Sequence, residues 1–456
     1  MAWQSTLKVS VSGVRGIVGE SLTMPLVSSF ATAFGTYVGR GRVIVGRDTR
    51  PTGEMIEHAV IAGLLAVGCE PVLVDVAPTP SILLLVSELR AKGGVIVTAS
   101  HNPNEWNALK FVGPEGLFLD ATAANELLGL YNREAAHYVP EPEYRRESRL
   151  ADPFAPHQRR ILANVDAAAI QRGHFKVAVD CCNGAGAPYT PAFLRELGCE
   201  VVAIHTVPDG IFPRGAEPVP ENLQDLGRAV REHGCVLGFA QDPDGDRLAL
   251  VDGRGTPLGE NLTLVLAVAH VLRRTPGPVV VNLGTSKAVE DVTRAAGGQL
   301  YYSKIGEINV TTEMRRRQAV IGGEANGGVI WPRVHPCRDS YAAMALILEM
   351  LAQRGEPLDR ILEGVPRYAT VNLKLPCSGE QAQLVVRALR ERYAGERTIS
   401  LDGLRIDWED RWVLIRHSNT EPVLRITAEA RTREAAERLG QEFLTESRRL
   451  AGGQAG

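Results

Sequence analysis

Three aspartates alternate in the stretch "FAQDPDGDRLALVD": Asp242, Asp244 and Asp246. Alternate residues of an extended segment point to one side, so the three carboxylates are expected to converge, and Gly245 allows the tight turn that wraps them round an ion. Closely spaced carboxylate oxygens suit Mg²⁺ or a similar divalent cation. The spacing is not that of an EF-hand, because Arg247 occupies the sixth position, where that loop needs glycine. An aspartate-rich surface turn is the alternative.

A serine stands among small polar residues in "VTASHNPNEWNALKF", directly after an apolar run that predicts a buried strand. Ser100 is therefore a candidate nucleophile, although taken singly it fits a helix N-cap or a turn better. No G-x-S-x-G elbow surrounds it, and no histidine and aspartate in hydrolase spacing accompany it. Ser100 becomes a stronger candidate for a nucleophile only when the other loops are considered together with it.

A third loop is rich in groups that bind phosphate. The stretch "RHSNTEPVLRITAE" supplies two guanidinium groups, two hydroxyls and an amide, from Arg416, Ser418, Asn419, Thr420 and Arg425. Arginine binds phosphate oxygens in a bidentate fashion, and a curled backbone adds N–H donors. The alternative is a polar hairpin turn with charged neighbours.

A fourth loop, "IGGEANGGVIWP", carries groups suited to sugar hydroxyls. Glu324 and Asn326 offer an acceptor and an amide, and the four glycines around them allow close approach. Glycine-rich turns are usually structural, so this signal is weak alone. Together, the four loops favour a phosphorylated sugar as substrate.

The elements that must position these loops follow one plan. Three stretches, starting at Arg42, Lys176 and Pro278, each read as an apolar strand, a polar loop, an amphipathic helix, a glycine stop and a second strand. We expect three similar α/β domains with mixed sheets, and ligand sites beyond the carboxyl ends of their strands. From about residue 369 closely spaced strands with two helices predict a smaller α+β domain. The four domains are expected to surround a central cleft. The expected domains are 1–148, 149–252, 253–366 and 367–456.

The bulk properties narrow the function. Lys and Arg (50) nearly balance Asp and Glu (53), so the net charge of −3 does not favour nucleic acid or an anionic membrane. No secretory signal is visible, and the apolar stretch 262–272 is too short to span a bilayer. The seven scattered cysteines show no zinc-type spacing. We expect reduced thiols, a cytoplasmic protein and a small-molecule partner, in a monomer or homodimer.

Four motifs in order resemble the α-D-phosphohexomutase family. They are "TASHNP" (98–103), "DPDGDR" (242–247), "GEANGG" (323–328) and "RHSNTEP" (416–422). Further similarities are "SGVRG" (12–16), "VGRDTR" (45–50), "NALK" (107–110) and "DGIFPRGAEPVPENL" (209–223). The family fold has three similar α/β domains and a smaller fourth. The resemblance covers nearly the whole chain and agrees with the internal repeat.

The resemblance implies an isomerase that moves a phosphoryl group between O6 and O1 of a hexose phosphate. Ser100 would carry the phosphoryl group, with a hexose 1,6-bisphosphate as intermediate and activator, and Mg²⁺ would be held by Ser100 and the three aspartates. The resemblance also brings Arg15, His101, Lys110 and Arg247 to the catalytic centre. Which of these is the general base stays open, and His101 is as consistent with a structural role.

The resemblance assigns Arg416, Ser418, Asn419, Thr420 and Arg425 to the non-reacting phosphate, and Glu324 with Asn326 to the sugar. Asn326, Gly327 and Gly328 stand where many members have Ser-Gly-His, so no role of that histidine is carried over. This form resembles the archaeal-type phosphoglucosamine mutase branch, which indicates glucosamine 6-phosphate and glucosamine 1-phosphate. The alternatives are a phosphoglucomutase/phosphomannomutase, a metal-dependent sugar phosphatase and a non-catalytic sugar-phosphate sensor.

Overall fold

The chain packs into two units in the computed structural model, which describes residues 6–10, 13–418 and 422–452. The first unit comprises Met1–His270 with Asn326–Ile361, and the second comprises Val271–Ala325 with Leu362–Gly456. Two helices, α9 (Glu260–Arg274) and α13 (Leu358–Glu363), run across the points where the chain passes from one unit to the other.

A seven-stranded sheet opens the first unit. Its strands are β1 (Lys8–Ser10), β2 (Gly13–Ile17), β3 (Arg42–Arg47), β4 (Glu70–Val76), β5 (Gly93–Val97), β6 (Trp106–Val112) and β7 (Ser148–Arg149). They lie in the order β1-β2-β6-β5-β3-β4-β7. Strands β3, β4, β5 and β7 pair in parallel, whereas β6, β2 and β1 pair antiparallel, so the sheet is mixed as predicted. The accompanying helices are α1 (Met24–Val38), α2 (Gly53–Ala66), α3 (Thr79–Glu88) and α4 (Ala121–Asn132).

Both faces of this sheet are covered, which explains why its central strands read as continuous apolar runs. Val43 and Val45 of β3 belong to one apolar cluster with Phe30 of α1. Ile44, the residue between them, belongs to a separate cluster with Ile82 of α3. Alternate residues of β3 thus pack on opposite faces of the sheet, and Ser100 follows the end of the neighbouring strand β5.

A four-stranded sheet and a hairpin complete the first unit. The sheet contains β8 (Lys176–Asp180), β9 (Glu200–Ile204), β10 (Leu237–Gln241) and β11 (Leu248–Asp252), in the order β11-β10-β8-β9. Strands β10 and β11 form an antiparallel hairpin whose tip is the aspartate loop. The helices are α5 (Ala155–Leu162), α6 (Ala167–Arg172), α7 (Thr190–Glu196) and α8 (Gln224–His233). The second hairpin, β15 (Val329–Trp331) and β16 (His335–Arg338), leads into α12 (Ser340–Arg354).

The second unit contains parallel and antiparallel strands. The parallel strands are β12 (Pro278–Asn282), β13 (Gln299–Ser303) and β14 (Ile321–Gly323), with helices α10 (Lys287–Ala295) and α11 (Glu307–Arg317). The antiparallel strands are β17 (Ala369–Pro376), β18 (Arg397–Ile399), β19 (Leu404–Asp407), β20 (Arg411–His417) and β21 (Val423–Ala430). They lie in the order β17-β21-β20-β19-β18 and pack on α14 (Gly379–Arg392) and α15 (Arg433–Gly452).

The predicted strand–helix–strand repeats are confirmed as β3-α2-β4, β8-α7-β9 and β12-α10-β13, each with a parallel strand pair. The antiparallel character of the last segment is also confirmed. Strand β18 was not predicted, because its three residues are too few to show an alternating pattern. The four domain boundaries remain a prediction. No helix of the described residues has the length and apolar character needed to cross a bilayer.

A fully buried arginine joins the antiparallel sheet to the parallel strands inside the second unit. Arg405 makes two hydrogen bonds of 3.0 Å to the carboxylate of Asp407. It also donates to the carbonyl oxygens of Leu283 and Thr285, which lie in the loop after β12. Its guanidinium lies 4.0 Å from the ring centroid of Trp412. Every face of this cation is therefore engaged.

We predict that Arg405→Met destabilises the protein by about 3 to 5 kcal/mol, because the buried Asp407 carboxylate loses its partner. Urea unfolding followed by circular dichroism measures this. The control is Arg411→Met, on the neighbouring strand, whose side chain is 44% exposed and pairs with Asp410. That pair should contribute less than about 1 kcal/mol. Equal unfolding midpoints for the two variants would contradict the role given to Arg405.

Candidate active site

Ser100 lies in the loop that follows β5, with its backbone in the left-handed region at φ 52°. It belongs to a turn and no helix begins there, so the N-cap alternative is wrong. Its N–H donates to Thr98 Oγ1 at 2.9 Å, and its Oγ donates to Asp242 Oδ2 at 3.3 Å. A non-glycine residue rarely adopts this backbone conformation without surrounding structure that imposes it.

That surrounding structure is a buried ion pair at the end of β3. Arg50 uses all five N–H groups of its guanidinium. One donates to Asp48 Oδ2, and the others donate to the carbonyl oxygens of Ser100, Asn102, Pro103 and Trp106. Asp48 in turn accepts from Thr98 Oγ1 at 2.6 Å. Both members of the pair are 1% exposed. The serine loop is thus wrapped round one cation.

The three aspartates occupy the tip of the β10–β11 hairpin. Their carboxylate oxygens lie within 4.8 Å of one another, as a metal site requires. The reason given from sequence, an extended segment, is wrong. The loop is a turn in which Asp242 Oδ1 accepts from the backbone N–H groups of Asp246 and Arg247, and Gly245 has φ 71°. The side chain of Asp242 therefore folds the loop that gathers the other two.

Asp244 and Asp246 each have one oxygen held by the protein and a second oxygen without a hydrogen-bond partner. Asp244 Oδ2 accepts from Lys110 Nζ at 2.9 Å and from Thr79 Oγ1 at 3.0 Å, and Asp246 Oδ2 accepts from Arg338 at 2.5 Å. The remaining oxygens, Asp244 Oδ1 and Asp246 Oδ1, are buried and have no hydrogen-bond partner. Buried acceptors of this kind are costly unless something binds them. Two such oxygens beside Asp242 Oδ2 fit a divalent cation.

The pKa values of Asp242 and Asp244 shift in opposite directions because their neighbours differ. Burial raises the pKa of Asp242 well above its usual range, and the charges of Asp246 and Asp244 raise it further. Burial also acts to raise the pKa of Asp244, but the charge and hydrogen bond of Lys110 outweigh it and lower that pKa. A bound metal ion would favour the charged form of Asp242.

The other predicted catalytic residues surround this cluster. Arg247 Nη2 lies 3.1 Å from His101 Nδ1, and Arg247 Nη1 donates to Glu217 Oε1 at 3.2 Å. Because a guanidinium can only donate, His101 accepts at Nδ1 and is neutral. Burial and the charge of Arg247 accordingly lower the pKa of His101 to about 3. Arg15 donates to Asn102 Oδ1 at 2.6 Å. The structure thus brings Arg15, Ser100, His101, Lys110 and Arg247 together with the aspartates.

The predicted sugar residues belong to different units. Glu324, in the second unit, accepts at Oε1 from Asn282 Nδ2 at 2.8 Å and from the N–H of Gly306 at 3.0 Å. Asn326, in the first unit, accepts at Oδ1 from the N–H of Gly328 at 3.3 Å. Each side chain is therefore oriented by its own neighbours.

The predicted phosphate loop joins β20 to β21 in the second unit. Arg416 and Arg425 are directly opposite each other on these strands. Burial lowers the pKa of Arg416, Asp402 opposes this, and the charge of Arg425 lowers it further. Like charges facing each other across a sheet are unfavourable without an anion. Ser418 is buried, whereas Asn419 and Thr420 lie outside the described residues.

Four family models match consecutive segments of the chain. They are described as phosphoglucomutase/phosphomannomutase alpha/beta/alpha domain I (residues 6–137), domain II (155–255) and domain III (259–368), and the C-terminal domain of the same family (371–446). The chain belongs to the phosphoglucomutase/phosphomannomutase family. This chain therefore has the four-domain α/β architecture that the sequence predicted. It is a mutase-type isomerase.

Full-length relatives support the same conclusion. A probable phosphoglucosamine mutase of Methanopyrus kandleri is 38% identical, over 96% of this chain and 97% of its own. A phosphoglucomutase/phosphomannomutase of Thermococcus kodakarensis is 37% identical, over 95% and 98% respectively. A crystal structure of a family protein from Burkholderia thailandensis superposes with a TM-score of 0.84 at 27% identity, covering 98% of this chain and 99% of that one.

A more distant structure contains ligands. It is an N-acetylphosphoglucosamine mutase of Aspergillus fumigatus in complex with GlcNAc-6P and magnesium. The TM-score is 0.60 at 16% identity, and the match covers 99% of this chain and 97% of that one. At this identity the likeness concerns the fold alone.

Sequence reasoning missed two arginines that organise this site. Arg50 stands in the quoted motif "VGRDTR", but nothing in the motif reveals that it holds four carbonyl oxygens of a loop about fifty residues further on. Arg338 follows a cysteine in a short strand, and no local pattern points it to Asp246.

We predict that Arg50→Lys destabilises the protein by about 3 kcal/mol or more, because an ammonium group cannot replace five donors in fixed directions. Hydrogen–deuterium exchange of residues 98–106 should rise at the same time. Thermal unfolding and exchange mass spectrometry give the two measurements. Arg42→Lys is the control, since Arg42 begins β3, the strand that precedes Arg50, and its side chain is 56% exposed. Unchanged exchange in the serine loop of the Arg50 variant would contradict this assignment.

Proposed function

We propose that the enzyme moves a phosphoryl group between O6 and O1 of a hexose phosphate, through a phosphoserine at position 100 and a hexose 1,6-bisphosphate. The pair of glucosamine 6-phosphate and glucosamine 1-phosphate is the first choice of substrate. The observation that carries the proposal is the hydroxyl of Ser100, 3.3 Å from Asp242 Oδ2, beside two buried aspartate oxygens without partners.

The donor set fits Mg²⁺ as the resident ion. Three carboxylates and a serine oxygen are hard ligands, and the unpartnered oxygens of Asp244 and Asp246 are already directed by Lys110 and Arg338. When bound, the ion would offset negative charge on the phosphoryl oxygens.

The residues round Ser100 suit a phosphorylated side chain. Phosphorylation adds about 1.5 to 2 negative charges next to three aspartates, so cations must be close. Lys110 forms an ion pair with Asp244, and Arg247 Nε lies 3.8 Å from oxygens of both Asp242 and Asp246. These groups are fixed in place before any substrate binds, which is what electrostatic stabilisation of a transferred phosphoryl group needs.

Two phosphoryl transfers make up the proposed cycle. In the first, the bond between phosphorus and Ser100 Oγ breaks as a bond to the free sugar hydroxyl forms, and the hydroxyl proton passes to a base. In the second, the bisphosphate has turned over, the bond between its other phosphorus and the sugar oxygen breaks as that phosphorus bonds Ser100 Oγ, and the sugar oxygen takes the proton back from the base. His101 already accepts a hydrogen bond from Arg247 at Nδ1, and Lys110 can act as the base only after it passes its own proton to the Asp244 carboxylate with which it is paired. Hexose 1,6-bisphosphate would also rephosphorylate an idle enzyme.

The second unit supplies groups suited to the rest of the substrate. The proposed site for the non-reacting phosphate comprises Arg416, Ser418, Asn419, Thr420 and Arg425. Two of these residues, Arg416 and Arg425, lie opposite each other on neighbouring strands and are partly buried. Glu324, with Asn326 of the first unit, would bind sugar hydroxyls. Because the bisphosphate must bind in two orientations, this phosphate-binding site has to bind each of its two phosphates in turn.

The relatives' names frame the substrate choice. The relative of Methanopyrus kandleri is named a probable phosphoglucosamine mutase, and a similar relative of Thermococcus kodakarensis is named a phosphoglucomutase/phosphomannomutase. Phosphoglucomutase/phosphomannomutase activity is therefore the second candidate. A phosphatase would use the same serine and aspartates but would release inorganic phosphate.

We predict that Ser100→Ala lowers turnover by at least about 10³-fold, because the phosphoryl carrier is lost, and leaves the thermal melt within a few degrees. A mutase assay with glucosamine, glucose and mannose 6-phosphates, Mg²⁺ and the matching bisphosphate measures turnover. The peptide containing Ser100 should carry one phosphate in the wild type by mass spectrometry. Ser87→Ala, in the neighbouring helix α3, is the control and should remain active.

Two outcomes would overturn the proposal. Undiminished activity of the Ser100→Ala variant would rule out the phosphoserine. Steady release of inorganic phosphate without the 1-phosphate isomer would favour the phosphatase. The substrate with the highest kcat/KM in the same assay decides between the glucosamine and the glucose or mannose assignments.

A further inference from the structure

The space above Gly328 is filled by the side chain of Arg338. A Cβ atom at Gly328 would lie 2.3 Å from Arg338 Cδ and 2.8 Å from Arg338 Cγ, far closer than atoms can approach. The φ of Gly328 lies outside the left-handed region, so the backbone does not require glycine there. The glycine is needed for space, and the space is used by one arginine.

The arginine that crosses Gly328 ends at the metal loop. Its Nη2 donates to Asp246 Oδ2 at 2.5 Å, and the side chain is 10% exposed. The other oxygen of that carboxylate, Asp246 Oδ1, is buried without a hydrogen-bond partner. A carboxylate held at one oxygen presents the second in a fixed direction. Arg338 therefore orients Asp246 in the way that Lys110 orients Asp244.

The backbone from which Arg338 extends is itself fixed to the same loop. Asp339 accepts from the N–H groups of Tyr341 and Ala342 at the start of α12, and it pairs with His157 Nε2 at 2.8 Å. Ser340 Oγ donates to the carbonyl oxygen of Gly245 at 2.6 Å. The two residues that flank Asp339, Arg338 and Ser340, thus both contact the metal loop.

We propose that Arg338 is a positioning residue for the metal ligand Asp246, and that Gly328 is its obligatory partner. The inference rests on the proposed metal site. Gly328 stands where many family members have histidine, and any side chain at that position would collide with Arg338.

Divalent-ion binding tests this without relying on turnover. Isothermal titration calorimetry with Mn²⁺ and Mg²⁺ would be done on the full chain, as wild type and as Arg338→Met, Arg338→Lys, Gly328→Ala and the double variant Gly328→Ala with Arg338→Met. Arg338→Met should weaken ion binding about 10- to 100-fold. Arg338→Lys keeps the charge and should recover part of that loss. Arg254→Met, an exposed arginine paired with Asp359, is the matched control and should bind as the wild type does.

The double variant separates a specific pairing from general damage. Gly328→Ala should weaken ion binding in the wild-type background, because the guanidinium has to move. It should have no further effect when Arg338 is already Met, so the two losses are not additive. Additive losses would refute the pairing. If Arg338→Met fails to fold by circular dichroism, Arg338→Lys and Gly328→Ala decide alone, and wild-type affinity in both refutes the inference.

Failure of the inference and failure of the proposed function are distinguishable. A wild-type protein that binds neither ion would remove the metal site itself. A wild-type protein that binds an ion, with all four variants equally tight, would leave the site in place and remove only the role of Arg338.

Discussion

Three carboxylates buried within 4.8 Å of one another are the constraint on which this molecule depends. Each charged pair at that separation repels by about 3 kcal/mol even at an effective dielectric constant near 20. Lys110 and Arg338 each neutralise one carboxylate, and Arg247 lies between the other oxygens. Burial, together with the charges of Asp246 and Asp244, nevertheless raises the pKa of Asp242. A divalent cation bound at the triplet would stabilise its charged form.

The same constraint explains how the serine loop is built. The Ser100 hydroxyl can react beside this cluster only if its loop is held in place next to the aspartates. Arg50 and Asp48 secure that loop through its own carbonyl oxygens and through Thr98. Because β3, β5 and β10 all end in loops that hold these groups, the carboxyl ends of parallel strands gather the chemistry in the first unit.

The sequence predicted the strand–helix repeats and the aspartate triplet, which have local signals, namely apolar alternation and a glycine in a turn. The association of the triplet with Ser100 was expected only from the combination of loops and the family resemblance. The geometry of the metal loop was predicted for the wrong reason, because Asp242 bonds the backbone of its own turn. Arg50 and Arg338 could not be predicted, since their partners are distant in sequence and a buried arginine has no periodic pattern. The steric link between Gly328 and Arg338 exists only in three dimensions.

The most direct measurement is anomalous X-ray diffraction from crystals of the protein soaked with Mn²⁺. The account predicts one strong anomalous peak among Asp242 Oδ2, Asp244 Oδ1 and Asp246 Oδ1, with Ser100 Oγ or its phosphate about 2 to 2.6 Å away. No peak at the triplet, or a peak there with Ser100 directed elsewhere and out of reach, would contradict the central claim.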